Sequence, residues 1–254
     1  HDVDKEQISK SGKVWLGELF DINLSHSISL TLDGINTGQP ATIQTSIVHN
    51  SKVPSNKMYL NANGSQVYVE NLNTATGQYT VANERVTTNS VNLSGSNVTL
   101  DFTFDRGSPS DQAWLNYAEI IYKRSLNASG KDYFSFRDLA SVGSGNVVAY
   151  SISGINNDKM IWEVTDPRQP KVVLGDLSGG ISSLSFNADS LRTFVMVDRY
   201  GNFPTPSYEG TVTNQNLHGL PAADYIIVTP SEFRSQANRL ADLHRSENGL
   251  TVHV

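Results

Sequence analysis

No cysteine occurs among the 254 residues. That excludes disulfides, thiolate metal sites and a cysteine nucleophile within this stretch, and it leaves the redox compartment open. Charge is scarce as well: 17% of residues are charged and the net charge is −6, against about 25% charged residues in an average domain. A nucleic-acid grip needs clustered Lys and Arg to neutralise phosphates, and an acidic chain without such clusters excludes it. No apolar run approaches the roughly 20 residues of a membrane span. The chain opens on a polar, acidic stretch without the apolar core of a signal peptide, as a mature or trimmed chain would.

Ser, Thr, Asn and Gly stand in place of the missing charge, a composition that favours an all-β, turn-rich, secreted-type protein. The pattern agrees. Residues 1–12 are polar and aperiodic and read as a leader. From Ile22 to Leu32 apolar and polar residues alternate, which gives a strand one core face and one wet face, and Asp33-Gly34 supplies a turn. Alternation recurs over 42–48, 58–60, 65–69, 78–81, 91–93 and 98–104, with Asn63-Gly64, Thr76-Gly77 and Ser94-Gly95 as turn chemistry between them. Residues 114–126, rich in aromatic and β-branched side chains, read as a long strand closing the structure. Short strands at such spacing predict a β-sandwich of jelly-roll or Greek-key type over 13–127.

A second β-rich run follows, with strands expected at 133–136, 147–152, 160–164, 170–174, 184–186 and 193–198. Together with a Pro-containing crossing segment it fills 128–221, as a second small sheet or an extension of the sandwich. After that the period changes. Asp224 to Thr229 is a compact apolar strand of the kind buried on both faces of a parallel sheet. Thr229-Pro230-Ser231-Glu232 reads as a helix start with a capping box. Phe233, Ala237, Leu240, Ala241 and His244 share one helical face, Gly249 marks the stop, and Leu250 begins another strand. Residues 222–254 thus read as a truncated β-α-β opening of an α/β domain, because one helix and two parallel strands cannot bury both sheet faces.

Chemistry is thinly signalled. His218-Gly219 precedes the late strand, where a histidine can serve as a general base, but no G-x-S-x-G elbow offers it a nucleophile, and an ordinary loop histidine is the plainer reading. His26, His49, His244 and His253 show no H-x-H or H-x-x-x-H spacing for zinc. Asp101, Asp105 and Asp111 fall near one loop, whose oxygens suit calcium; solvated loop acids are the commoner case. No cofactor is therefore expected, with a structural calcium ion at this loop held open. Trp15, Trp114 and Trp162 suit either a sugar platform or ordinary packing. N-x-S/T triplets such as Asn63-Gly64-Ser65 and Asn97-Val98-Thr99 arise by chance in so Asn- and Ser-rich a chain.

Four stretches together resemble the gingipain-like cysteine peptidases, and within them the C-terminal signal peptidase, or sortase, of the type IX secretion system of Bacteroidetes. They are Ser11-Gly12-Lys13-Val14-Trp15-Leu16-Gly17-Glu18-Leu19-Phe20, the run from Ala113 through Tyr122-Lys123-Arg124-Ser125-Leu126, Ile161-Trp162-Glu163-Val164-Thr165-Asp166-Pro167, and Asn214 to Thr229. Departures from the pattern are Lys13 for Arg, and Asn116 and Glu163 for Asp. The resemblance implies a caspase-like α/β peptidase domain beginning near residue 222. The family's catalytic histidine and cysteine lie further along such a domain, so no catalytic, cofactor-binding or metal residue carries over, and His218 is not the family's catalytic histidine.

The sequence therefore points to a non-catalytic β-rich region of a secreted or cell-surface sortase. The resemblance implies a parent that cleaves C-terminal sorting domains from secreted cargo and attaches the cargo to a surface glycolipid. The expected partners are the rest of the parent chain and cargo or outer-membrane secretion components, on the extracellular side of the outer membrane, with no nucleic acid and no membrane span. The alternative is a stand-alone secreted β-sandwich that binds polysaccharide or a protein partner.

Overall fold

Alternation of apolar and polar residues builds most of the strands, and the order in which they pair divides them into two layered bodies. The computed structural model describes residues 1–9, 12, 14–75, 80–173, 180–212, 214 and 216–254. The chain separates into two units, His1–Phe203 and Pro204–Val254.

The first unit opens with eight strands: β1 (Leu19–Phe20), β2 (Ser25–Thr31), β3 (Ala41–His49), β4 (Lys57–Ala62), β5 (Ser65–Asn71), β6 (Asn83–Val91), β7 (Asn97–Asp105) and β8 (Ala113–Ile121). They form two four-stranded sheets, ordered β1-β8-β3-β6 and β2-β7-β4-β5. The sheets share one core, to which β7 gives Val98, Leu100, Phe102 and Phe104, and β4 gives Met58, Leu60 and Ala62. Ser27, Ser29 and Thr31 of β2 lie outside this core while Ile28 lies in it, as the alternation predicts. The expected Asn63-Gly64 turn joins β4 to β5 with both residues at positive φ (47° and 79°), the requirement of a type I′ hairpin.

Two local expectations are corrected here, and a third falls partly outside the described residues. Of the strand expected at 91–93 only Val91 is in a strand, as the last residue of β6, which begins at Asn83. As an edge strand it buries only Thr87 fully and leaves Val86 exposed, so its sequence reads as polar. Strand β8 ends at Ile121, short of the expected 126, and lies inside its sheet between β1 and β3. A bulge at Asn116 shifts its register against Ser46 and Ile47, so the inward phase moves from Ala113 and Leu115 to Ala118. The expected Thr76-Gly77 turn and the first half of the 78–81 strand lie outside the described residues; Thr80 and Val81 are not in a strand.

Residues 1–9, read from sequence as part of a leader, run along β8. Asp2 bridges to Tyr117 and Glu6 to Leu16, and the Trp114 indole N–H donates to Glu6 at 3.2 Å. Buried Glu18 accepts from Lys5 at 2.9 Å and sits 3.1 Å from the His1 ring.

Strands β9 (Leu126–Asn127), β10 (Tyr133–Phe136), β11 (Val147–Ile155), β12 (Lys159–Glu163), β13 (Lys171–Val173), β14 (Gly180–Asn187) and β15 (Phe194–Asp198) build a second, smaller sandwich. Its sheets are β10-β15-β12-β13 and β14-β11-β9. They enclose a separate core of Phe134, Phe136, Tyr150, Ile152, Ile161, Phe194 and Met196. The 128–198 region is thus a second two-layer body with its own apolar interior.

The second unit holds β16 (Tyr225–Ile226), a 3-10 turn at Ser231–Phe233, helix α1 (Arg234–Asn248) and β17 (Val252–His253). β16 and β17 pair in parallel across the helix, as a β-α-β unit requires. Two details differ from expectation. The strand over 224–229 shrinks to two paired residues, both exposed, because a two-stranded sheet has no second neighbour to extend it. The capping box does not form: the Thr229 hydroxyl donates to the Pro230 carbonyl, and the α-helix starts one turn later without a side-chain cap. Of the expected helical face, Ala237 and Ala241 are buried while Phe233 and Leu240 stay exposed. Gly249 ends the helix in the left-handed region at φ 67°, as its position predicts.

Candidate functional site

The histidines are dispersed. His26 packs edge-on against Phe20, and its Nε2 lies 2.9 Å from the Leu19 carbonyl. His218 is exposed in a short 3-10 turn. His244 stacks on Tyr225 with ring centroids 4.8 Å apart and meets Asn248 at 3.0 Å, while His253 meets the Pro221 carbonyl at 3.1 Å. His49 is buried, with Nδ1 2.9 Å from the equally buried Ser51 hydroxyl. Burial lowers its pKa, and nearby Asp111 opposes the shift. A Ser–His–Asp neighbourhood therefore exists, but His49 and Ser51 are 3% and 0% exposed and no substrate reaches them.

The three aspartates of the candidate calcium loop do not converge. Asp111 is fully buried and accepts from the Lys52 amide at 3.0 Å and from Asn56 Nδ2 at 2.6 Å. Asn56 in turn accepts from the Gly107 amide at 2.7 Å, so the pair clamps two loops. Asp101 sits on β7 and accepts from the Ser27 hydroxyl at 2.5 Å. Among the described residues no group of three His, Asp or Glu is placed to hold a metal. The tryptophans do not form one platform either: Trp114 is buried on β8 beneath Glu6, Trp15 is exposed, and Trp162 belongs to β12 of the other sandwich.

A cleft of ≈1100 Å³ lies between the two sandwiches of the first unit. Its lining includes Glu119, Lys123 and Arg124 from the end of β8 onward, and Arg137, Asp138 and Ser151 from the second sandwich. The walls are stitched at one side. Lys123 pairs with Asp138. The Arg124 guanidinium donates to Asp33 at 2.7 Å and lies 5.0 Å from the Phe134 ring centre. Lys131 also donates to Asp33, at 3.0 Å. That bond and the flanking Arg124 hold the Asp33 carboxyl below the usual range. The Tyr122 hydroxyl donates to the Asp33 carbonyl at 3.2 Å. Sequence reasoning placed Tyr122 and Arg124 in a closing strand and missed the cleft. A signal was present: two cations follow an apolar strand just before a polar boundary.

The family-like motifs do structural work around this geometry. Glu163 binds Arg192 through both carboxylate oxygens, which lowers its pKa. The Arg192 guanidinium lies 4.9 Å from the Phe186 ring centre. Asn116 sits at the β8 bulge and donates to the Ser46 hydroxyl at 3.3 Å.

Comparison with known proteins agrees with this geometry in two steps. Residues 218–254, which hold the C-terminal β-α-β unit, match the family model of Peptidase family C25. Over 94% of its length the chain superposes on the crystal structure of dimeric latent PorU from Porphyromonas gingivalis, with a TM-score of 0.75 and 20% sequence identity. In fold the chain is therefore PorU-like, and it spans 23% of the length of that PorU chain. Two further structures overlap partially. The carbohydrate-binding module CBM36, in complex with calcium and xylotriose, covers 40% of this chain and 77% of its own, at 13% identity and a TM-score of 0.29. The insecticidal delta-endotoxin Cry8Ea1 from Bacillus thuringiensis covers 42% and 20%, at 13% identity and 0.32. Scores at that level carry no argument about ligands. No curated protein matches this chain in sequence.

Proposed function

We propose that this chain is a non-catalytic β-rich region, with the first β-α-β unit of a peptidase domain, of a type IX sortase-like cysteine peptidase. The observation that carries the reading is the shared architecture of both sandwiches and the C-terminal unit with PorU over 94% of the chain. The peptidase-family match at 218–254 supports the same assignment. The absence of cysteine fits a supporting role for these residues, since such a peptidase attacks through a thiolate. In the proposed parent the missing histidine and cysteine lie beyond Val254. The parent cleaves sorting domains from secreted cargo and passes the cargo to a surface glycolipid at the outer face of the outer membrane. Cargo or secretion-complex components are the partners of the β-rich region.

The deciding experiment is to read the coding frame beyond Val254 and express its whole product. A continuing α/β domain with a histidine and a cysteine, and thiol-inhibitor-sensitive cleavage of a sorting-domain substrate, is the expected result. A stop codon after Val254, or a product that lacks the cysteine, overturns the proposal.

A further inference from the structure

Strand β11 has nine residues, and one of its two edges is nearly bare. β14 covers one edge from Val147 to Ile155. On the other, β9 pairs only with Ile152 and Ser153. Backbone N–H and C=O groups point to alternate sides along a strand, and two bonds fix the phase. The Ala188 amide donates to the Asn146 carbonyl at 2.8 Å on the β14 side, and the Ala128 amide donates to the Ser153 carbonyl at 2.8 Å on the β9 side. Residues 147, 149, 151 and 153 therefore turn their groups away from β14. The parallel register gives the Ser151 carbonyl to the Leu126 amide. Both groups of Val147 and Ala149, and the Ser151 N–H, are left without a strand partner among the described residues.

Ala149 and Ser151 line the ≈1100 Å³ cleft between the sandwiches. The slot exists because the chain leading into β9 is drawn away. Arg124 bridges to Ile35, the Asn36 amide donates to the Lys123 carbonyl at 2.8 Å, and the Ser125 amide donates to the Gly34 carbonyl at 2.8 Å. These bonds hold residues 123–125 against the first sandwich, where otherwise they would continue β9 along β11.

We propose that this cleft binds an extended peptide of about five residues, which adds to β11 as a strand in line with β9. The backbone groups on offer are spaced for a strand, and the residues that carry them, Val147, Ala149 and Ser151, are exposed; an open strand edge of this kind is a template for pairing with another chain. A sugar is the weaker fit: of the three large rings at the cleft, Phe136 and Tyr150 are 5% and 9% exposed, and Tyr122 is half-buried with its hydroxyl donated to the Asp33 carbonyl. Arg137 lines the cleft, is exposed and has no ion-pair partner among the described residues, so an acidic residue on the peptide is favoured. The proposal stands whether or not the chain belongs to a peptidase.

The test is residue-resolved amide exchange on the whole chain, with the probe Ac-Glu-Thr-Val-Thr-Val-Thr-NH2 at millimolar concentration. In the free protein the Ala149 and Ser151 amides exchange quickly while Val148 and Tyr150, bonded to β14, are protected. Added peptide slows exchange at Ala149 and Ser151 about ten-fold or more and leaves Val148 and Tyr150 nearly unchanged. The same peptide N-methylated at every internal amide gives no protection. Ser151→Pro removes a donor from the edge and abolishes the effect; if that variant does not fold, the N-methylated peptide on the natural chain decides alone. Protection of Ala149 and Ser151 already present without peptide, no protection at millimolar probe, or equal protection by the N-methylated peptide each overturns the proposal.

Discussion

The two sandwiches of the first unit bury their interiors by different means. The larger, β1–β8, relies on strict alternation of mostly aliphatic residues and hides a polar cluster of His49, Ser51, Asn56 and Asp111 beneath its loops. The smaller, β9–β15, has fewer buried side chains and fills its centre with rings. Phe194 lies 5.4 Å from Phe136, 5.5 Å from Tyr150 and 4.4 Å from Phe186, centre to centre. Its rim is closed by ion pairs, Arg192 with Glu163 and the buried Lys159 with Asp198. A small body has less apolar surface to bury, so each large ring carries more of the total. The difference teaches that stability in the smaller sandwich is concentrated in few residues, whereas in the larger it is spread along strands.

The largest effect is expected from removing the shared ring. Phe194→Ala should cost about 3–5 kcal/mol, the usual range for a buried Phe, because the residue is 0% exposed and faces three aromatic partners. Denaturant unfolding combined with amide exchange measures it. Protection should fall in β10, β11 and β15 and persist in β7. Equal loss in β7 would show that the two bodies unfold as one and would dissolve the contrast. Next in size is Arg192→Met, which removes the guanidinium over Phe186 and leaves Glu163 without its bidentate partner. The pair is partly exposed, so solvent screening limits the loss to about 1 kcal/mol. A loss near that of Phe194→Ala would mean that the rim, not the ring cluster, holds the smaller sandwich.

The contrast also explains what could be read from sequence. Strands with one buried face announce themselves: Asn97 to Asp105 and Tyr133 to Phe136 alternate cleanly and were placed to within a residue. Strand β6 escaped because an edge strand exposes one side and here buries little more than Thr87. The Asn116 bulge escaped because an inserted residue breaks period two without changing composition. The capping box failed for a local reason, since Pro230 leads into a 3-10 turn before the α-helix. The cleft was invisible because it arises between bodies, from Asp33, Arg124 and Asp138 that are far apart in sequence. Only its cations were legible, as a charged run after an apolar strand.

The C-terminal unit offers a third kind of stability, local and modest. Gly249 holds φ 67°, and the Leu250 amide returns to the His244 carbonyl at 3.2 Å. An alanine there must adopt the left-handed region at a cost of about 1 kcal/mol. Gly249→Ala should therefore lower helicity and amide protection in α1 while leaving both sandwiches unchanged. A change in β7 or β15 protection would show that this unit is coupled to them.

The smallest effect sharpens the comparison by pH. In the larger sandwich His49 is buried neutral, and burial lowers its pKa from 6.5 despite Asp111. As pH falls below 6.5 the unfolded chain takes up a proton that the folded one refuses, so the larger sandwich loses stability from that point downward. In the smaller sandwich the shifted acids are Glu163, Asp189 and Asp198, lowered chiefly by their bonds to Arg192, the Gly145 amide and Lys159 from 4.5, 3.8 and 3.8. Their contribution is complete above those values and is lost only as pH drops below them toward the folded pKa values. Between about pH 6.5 and 4.5, then, protection should decline in β3 and β7 while β11 and β15 hold. His49→Asn should flatten that decline, because asparagine can meet the Ser51 hydroxyl without titrating. If the decline survives in His49→Asn, another group drives it; if β11 and β15 decline in parallel, the two cores share one titration and are energetically a single body.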